Sequence, residues 1–129
     1  MTKKTFTPEG TVVVGPYSPA VETGGSAGSL VYFSGQIPID STTGKIIDGD
    51  IKAQTSQCLK NLSSVLEAAG VTSDDVIKVT VYLTDMANYA SVNEIYGEYF
   101  KSPYPSRTAI AVVALPLGSQ VEIEVIAKR

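Results

Sequence analysis

Apolar positions recur along this chain with two different periods. Ile51, Thr55, Cys58, Leu59, Leu62, Val65, Leu66 and Ala69 fall three or four residues apart, which places them on one stripe of a helix. Asp48 or Asp50 can cap its start and Gly70 suits its C-terminal stop, so the spacing predicts a helix over 51–69. From Val76 to Leu83 the period drops to two. Ile77, Val79, Val81 and Leu83 then share one strand face, and Lys78, Thr80 and Tyr82 share the other. Asp85 can cap a second helix with Val92, Ile95, Tyr96, Tyr99 and Phe100 as its buried stripe, stopped by Pro103 and Pro105. Two strand candidates close the chain: Pro105 to Val112, and Val121 to Ile126 after a Leu-Pro-Leu-Gly turn. In the last of these, Val121, Ile123 and Val125 point one way and Glu122 and Glu124 the other.

The first third of the chain reads as short strands between turns. Residues 1–10 form a loose polar start, and the β-branched run Thr11 to Val14 reads as a small strand. Gly15-Pro16-Tyr17-Ser18-Pro19 cannot be helix interior, because Pro16 and Pro19 lack donors and restrict the residues before them. Ala20 to Thr23 and Leu30 to Ser34 suggest a hairpin around the glycines at 24–28, and Asp40 to Gly44 is a polar loop. The order of strands, helix, strand, helix, strands predicts an α+β fold, a mixed sheet with both helices on one face. No third helix remains to cover the other sheet face, so contact between subunits is expected there.

Composition narrows what such a domain can do. The 129 residues fit one domain, 1–129, and 43% apolar against 18% charged residues indicate a folded chain. A net charge of −3 supplies no basic footprint, so no nucleic-acid partner is expected. Val12-Val13-Val14 is too short for a signal-peptide core, and no segment approaches the roughly 20 apolar residues of a membrane span. Cys58 is the one cysteine, which excludes an internal disulfide and a cysteine-built metal site, and a cytoplasmic location is expected. The chain has no histidine. That removes Ser-His-Asp and Cys-His nucleophile systems and nearly all zinc sites; no metal is expected. Proton transfer near neutral pH must then run through a carboxylate, a lysine, a tyrosine or water.

Candidate chemistry is sparse and each residue has an ordinary alternative. Arg107, one of two arginines, opens a strand just after a proline-rich turn. It reads either as a surface cation or as a bidentate carboxylate clamp. Glu122 and Glu124 read as a solvated face, or one of them as a partly buried base; periodicity does not say which. If the two C-terminal strands lie close together, the guanidinium and a carboxylate could frame one small pocket. Tyr17 sits in a rigid turn where a ring can wall a pocket or simply pack. Ser34-Gly35-Gln36 leaves a strand where glycine permits close backbone approach, or is a plain loop exit. Asn93 is a polar residue amid apolar helix neighbours, a boundary residue or a hydrogen-bond donor. Cys58 reads as core, and Lys78 as solvated.

Taken together, these residues carry a resemblance. Gly15-Pro16-Tyr17-Ser18, Ser34-Gly35-Gln36-Ile37-Pro38, Glu67-Ala68-Ala69-Gly70, Val92-Asn93, Pro105-Ser106-Arg107-Thr108 and Val121-Glu122-Ile123-Glu124 occur in an order that resembles the RidA family. These are the YjgF-type reactive intermediate deaminases, and the likeness runs from about Gly15 to Ala127. The resemblance implies a chorismate-mutase-like two-layer fold and a homotrimer with active sites at the subunit clefts. It also implies hydrolysis of 2-imino acids or their enamine tautomers to 2-keto acids and ammonia, without a cofactor. By the same resemblance, Arg107 would bind the substrate carboxylate and Glu122 would orient or activate water. Tyr17, Ser34, Gly35 and Asn93 match other pocket positions. Many members have a cysteine two residues after the arginine. Here Ala109 stands there, which excludes a thiol-dependent role, although its backbone can still contact a ligand. The competing expectation is a non-catalytic protein that uses Arg107 to bind keto or amino acids.

Overall fold

A computed structural model describes residues 3–24 and 28–129. Its strongest element is the one the sequence marks most heavily. Helix α1 runs Ile51–Ala69, with the Asp50 side chain accepting from the Ala53 N–H at 2.9 Å. Gly70 ends it at φ 75, a left-handed conformation that glycine adopts without a Cβ penalty. Seven of the eight predicted stripe residues, Thr55 through Ala69, are buried. Gln54 is buried as well: its Oε1 accepts from the Gln120 N–H at 2.9 Å, tying the helix to the loop before the last strand.

Among the described residues, eight strands surround this helix in sequence: β1 Lys4–Phe6, β2 Ala20–Glu22, β3 Leu30–Phe33, β4 Ile39–Asp40, β5 Lys45–Ile46, β6 Val76–Leu83, β7 Ser106–Ala111 and β8 Val121–Lys128. Six of them form one sheet in the order β1-β2-β3-β8-β6-β7, and β4 and β5 form a small separate hairpin. β6 and β7 are parallel, and every other neighbouring pair is antiparallel. A parallel pair needs a crossover, and α2, Tyr89–Tyr99, supplies it. Both helices pack against each other, and α1 also packs on β8. Phe33, Leu62, Val65, Val79, Leu83, Phe100 and Ile123 meet in the core between sheet and helices.

Three expectations are corrected. Thr11 to Val14 is not a strand: no neighbouring strand offers it a ladder, and Val13 and Val14 are exposed. The edge strand is instead Lys4–Phe6, inside the stretch read as a loose start, pairing with β2 from Lys4↔Glu22 to Phe6↔Ala20. Asp85 caps a short 3-10 turn, Met86–Asn88, through a 2.9 Å bond to Ala87 N–H, and α2 follows one turn later. The β2–β3 hairpin forms as expected, although residues 25–27 of its connection lie outside the described residues.

Strand alternation gives the sheet two unlike faces. Val79, Val81, Leu83, Val121, Ile123 and Val125 are buried beneath the helices. Thr80, Tyr82, Glu122 and Glu124 point the other way, alongside Tyr32, Ile110 and Ile126 from neighbouring strands. Ile77 departs from the predicted face: it is exposed at an irregularity in the β6–β8 register between Val76 and Lys78. Among the described residues, no helix is long and apolar enough to cross a membrane.

Candidate functional site

Arg107 enters on β7 opposite Val79, a residue of the helix-facing side, so its side chain runs toward α2. Tyr89, Asn93 and Tyr96 stand at i, i+4 and i+7 on that helix and so share one face. All three engage the guanidinium. Nη1 donates to Asn93 Oδ1 at 2.7 Å and Nη2 donates to the Tyr89 hydroxyl at 2.8 Å. The Tyr96 ring lies against the cation, 4.7 Å from its centroid to Cζ, and Tyr89 adds a more distant face at 5.5 Å. Of the five guanidinium N–H groups, the one on Nε and one on each terminal nitrogen have no partner among the described residues. Ala109 follows on the same strand face, partly buried against the core.

A second group assembles around Glu122. Gly35 leaves β3 directly against its carboxyl: a Cβ at residue 35 would stand 2.6 Å from Oε2 and 2.8 Å from Cδ. The absence of a Cβ at residue 35 is therefore what lets the carboxyl occupy this position. The backbone bonds from Gln36 N–H to Ile123 carbonyl (2.7 Å) and from Ile123 N–H to Gln36 carbonyl (3.0 Å) hold this approach. Ser34 fastens the proline-rich turn to the same place, its Oγ donating to the Ser18 carbonyl at 2.8 Å and its N–H to the Pro19 carbonyl at 2.9 Å. Tyr17, exposed in that turn, lines a cleft of about 240 Å³ with Gly35, Gln36, Lys60, Asn61 and the segment Glu9 to Val12. Neither Arg107 nor Glu122 lines this cleft.

The carboxylates differ in environment. Burial pushes the Glu122 carboxyl above its ordinary pKa, and the charge of Glu124 two residues on adds to the shift. Glu124 is instead the acceptor of the Tyr82 hydroxyl at 2.5 Å. That bond, with burial behind it, pushes the Tyr82 phenol up to about 12. Cys58 is buried in the core with Sγ 3.7 Å from the Val121 carbonyl, and burial pushes its thiol up, so it is an inert packing residue. Lys78 is exposed.

The structure thus brings Gly35 and Glu122 together beside Ser34, with Tyr17 in a neighbouring cleft that shares Gly35, and separately gathers Asn93, Arg107 and Ala109. It does not bring the two groups to one pocket within a chain. β6 lies between β7 and β8, and Arg107 and Glu122 project from opposite sheet faces. Register puts their Cα atoms three residues along and two strands across, roughly 14 Å by ordinary strand spacing. Tyr89, which the sequence reading left unassigned, and Tyr96, read only as core, are the additions. Their spacing from Asn93 on one helix face was the available signal.

This fold is that of a known family. A family model described as Endoribonuclease L-PSP matches residues 9–129, and the chain belongs to that family. The chain is 50% identical over 122 residues to a RutC family protein of Pyrococcus horikoshii, covering 95% of this chain and 94% of the relative. It is 44% identical over 114 residues to the human protein named 2-iminobutanoate/2-iminopropanoate deaminase, covering 88% of this chain and 80% of that one. Among solved structures, Escherichia coli TdcF with bound serine matches at a TM-score of 0.88 and 34% identity, covering 98% and 99% of the two chains. The RidA likeness read from the motifs, and the α+β fold expected with it, are both borne out.

Proposed function

We propose that this protein hydrolyses 2-imino acids, or their enamine tautomers, to 2-keto acids and ammonia. The observation that carries the reading is the guanidinium of Arg107, braced on two edges and one face yet with three N–H groups unpartnered among the described residues. A braced planar fork of this kind suits a carboxylate, which it can bind through two parallel hydrogen bonds. The deaminase name of the human relative and the serine bound to TdcF, an amino acid with such a carboxylate, agree with that chemistry.

In this reading Arg107 holds the carboxylate and fixes the imine carbon, and positioning of this kind can lower a barrier by several kcal/mol. A water attacks the protonated imine carbon as Glu122 takes one of its protons, forming a C–O bond and a neutral carbinolamine. Glu122 returns the proton to nitrogen, the C–N bond breaks, and the hydroxyl proton leaves with the ammonia. Burial of Glu122 favours this role, because a raised pKa makes the carboxylate a stronger base. The family model's endoribonuclease description fits this chain less well, since a net charge of −3 gives phosphates little to bind.

The opposed faces of Arg107 and Glu122 favour a site shared between copies, with Arg107 of one chain meeting Glu122 of the next in a homotrimer. Exposed apolar residues, Tyr32 and Ile110 on the open face and Val113 beyond β7, suit burial between copies. The test couples an amino-acid oxidase to the protein in the presence of an imine trap and follows keto-acid release. Wild type should outcompete the trap, whereas Arg107→Ala and Glu122→Gln alone should not. Unfolding and reassembling the two variants together should restore about a quarter of wild-type activity, because a heterologous interface builds each site from two copies. Trapping unaffected by wild type would overturn the activity, and a mixture as inactive as its components would overturn the shared site.

A further inference from the structure

We infer that the Tyr89 hydroxyl is part of the carboxylate clamp, holding Arg107 through its lone pair and donating its own proton to the ligand. The inference rests on the proposed role of Arg107 and extends it by one residue. A phenol oxygen that accepts from Nη2 at 2.8 Å must direct its O–H away from that nitrogen. Among the described residues, that O–H reaches no acceptor. Tyr89 is 38% exposed, so the proton is presented to solvent beside the free N–H groups of the same guanidinium. An anion seated on Nη2 would therefore meet a second donor of fixed position.

The neighbouring groups show why this hydroxyl differs from a packing residue. Asn93 Oδ1 holds the other guanidinium edge as an acceptor. Tyr96 covers one face with its ring, and its own hydroxyl is buried without a partner among the described residues. Tyr89 alone combines an acceptor toward Arg107 with an exposed donor toward the ligand side. It begins α2, where the three-residue turn capped by Asp85 sets its place.

Pyruvate is the probe, titrated by calorimetry against wild type, Tyr89→Phe, Arg107→Ala and the double variant, with thermal unfolding of each. Tyr89→Phe keeps the ring and should weaken pyruvate binding about tenfold, the scale of one hydrogen bond to a charged group. Its Tm should stay at the wild-type value. In the Arg107→Ala background the same change should have no further effect, since the hydroxyl then has no clamp to complete. Unchanged affinity in Tyr89→Phe beside weakened binding in Arg107→Ala overturns the inference alone. Losses that simply add overturn it too, whereas unchanged binding in Arg107→Ala removes the carboxylate reading beneath it.

Discussion

Gly35→Ala separates the placement of Glu122 from its presence. The backbone at residue 35 tolerates any L-residue, since its φ is not among the positive values of this chain. Space is the obstacle. The new methyl would lie 2.6 Å from Glu122 Oε2, about 0.8 Å inside the 3.4 Å at which ordinary contact begins. All three atoms in its way belong to one flexible side chain, so the carboxyl swings aside and the fold survives. Overpacking costs roughly 1–3 kcal/mol in a rigid core. Here a mobile target softens it, and about 0.4–1 kcal/mol returns from a stiffer unfolded chain. Tm should consequently change by only a few degrees. Catalysis has no such tolerance: a displacement near 1 Å can cost about 10²-fold, or about 2.7 kcal/mol of barrier. Steady-state imine hydrolysis with pyruvate affinity measured in parallel should show kcat lowered about 10²-fold and pyruvate bound as before. A variant with wild-type kcat and wild-type Tm would refute the reasoning, for Glu122 would then have moved without consequence.

Three further outcomes follow from the same geometry. The pH profile of kcat/KM should have an acidic limb above the ordinary glutamate value of about 4.3, because Glu122 must be ionised to act and burial raises its pKa; Glu122→Gln should abolish that limb with the activity. Glu124→Gln should move the limb to lower pH, since it removes the charge that helps raise Glu122, and a limb unmoved or shifted upward would contradict the assigned coupling. Leu62→Ala, at a site with no solvent exposure, should cost about 3 kcal/mol and lower Tm by about 10 °C, measured by calorimetry.

Where local signals are dense, the sequence is a good guide to this fold. Asp50, the apolar stripe and Gly70 each mark α1 independently, and the helix has the predicted bounds. β6 and β8 are legible because each buries one face only, which enforces alternation. Short elements lack that redundancy. Lys4-Thr5-Phe6 becomes a strand only because β2 offers an edge, and Thr11 to Val14 stays irregular because nothing does. The site suffers from the same limit. Strand order inserts β6 between β7 and β8, and the register sets Arg107 level with Val79 and Glu122 level with Tyr82, hence on opposite faces. No local pattern encodes such an insertion, whereas the Tyr89–Asn93–Tyr96 row is local and was available to be read.

Two glutamates share one strand face, and their hydrogen bonding distinguishes them where periodicity could not. Glu124 is committed, with an oxygen receiving the Tyr82 hydroxyl; protonating that carboxylate would weaken a charge-assisted bond. Glu122 has no hydrogen-bond partner among the described residues. It is also half-buried beside a glycine that leaves its carboxyl free to meet a small molecule. A base must surrender and recover a proton in every turnover, and that favours the carboxylate with no other bond to break. Glu124 then serves best as a fixed charge, held by Tyr82, that raises the basicity of its neighbour. In the proposed reaction the pair would divide one strand face into a group that reacts and a group that tunes it, environment assigning different tasks to chemically identical side chains.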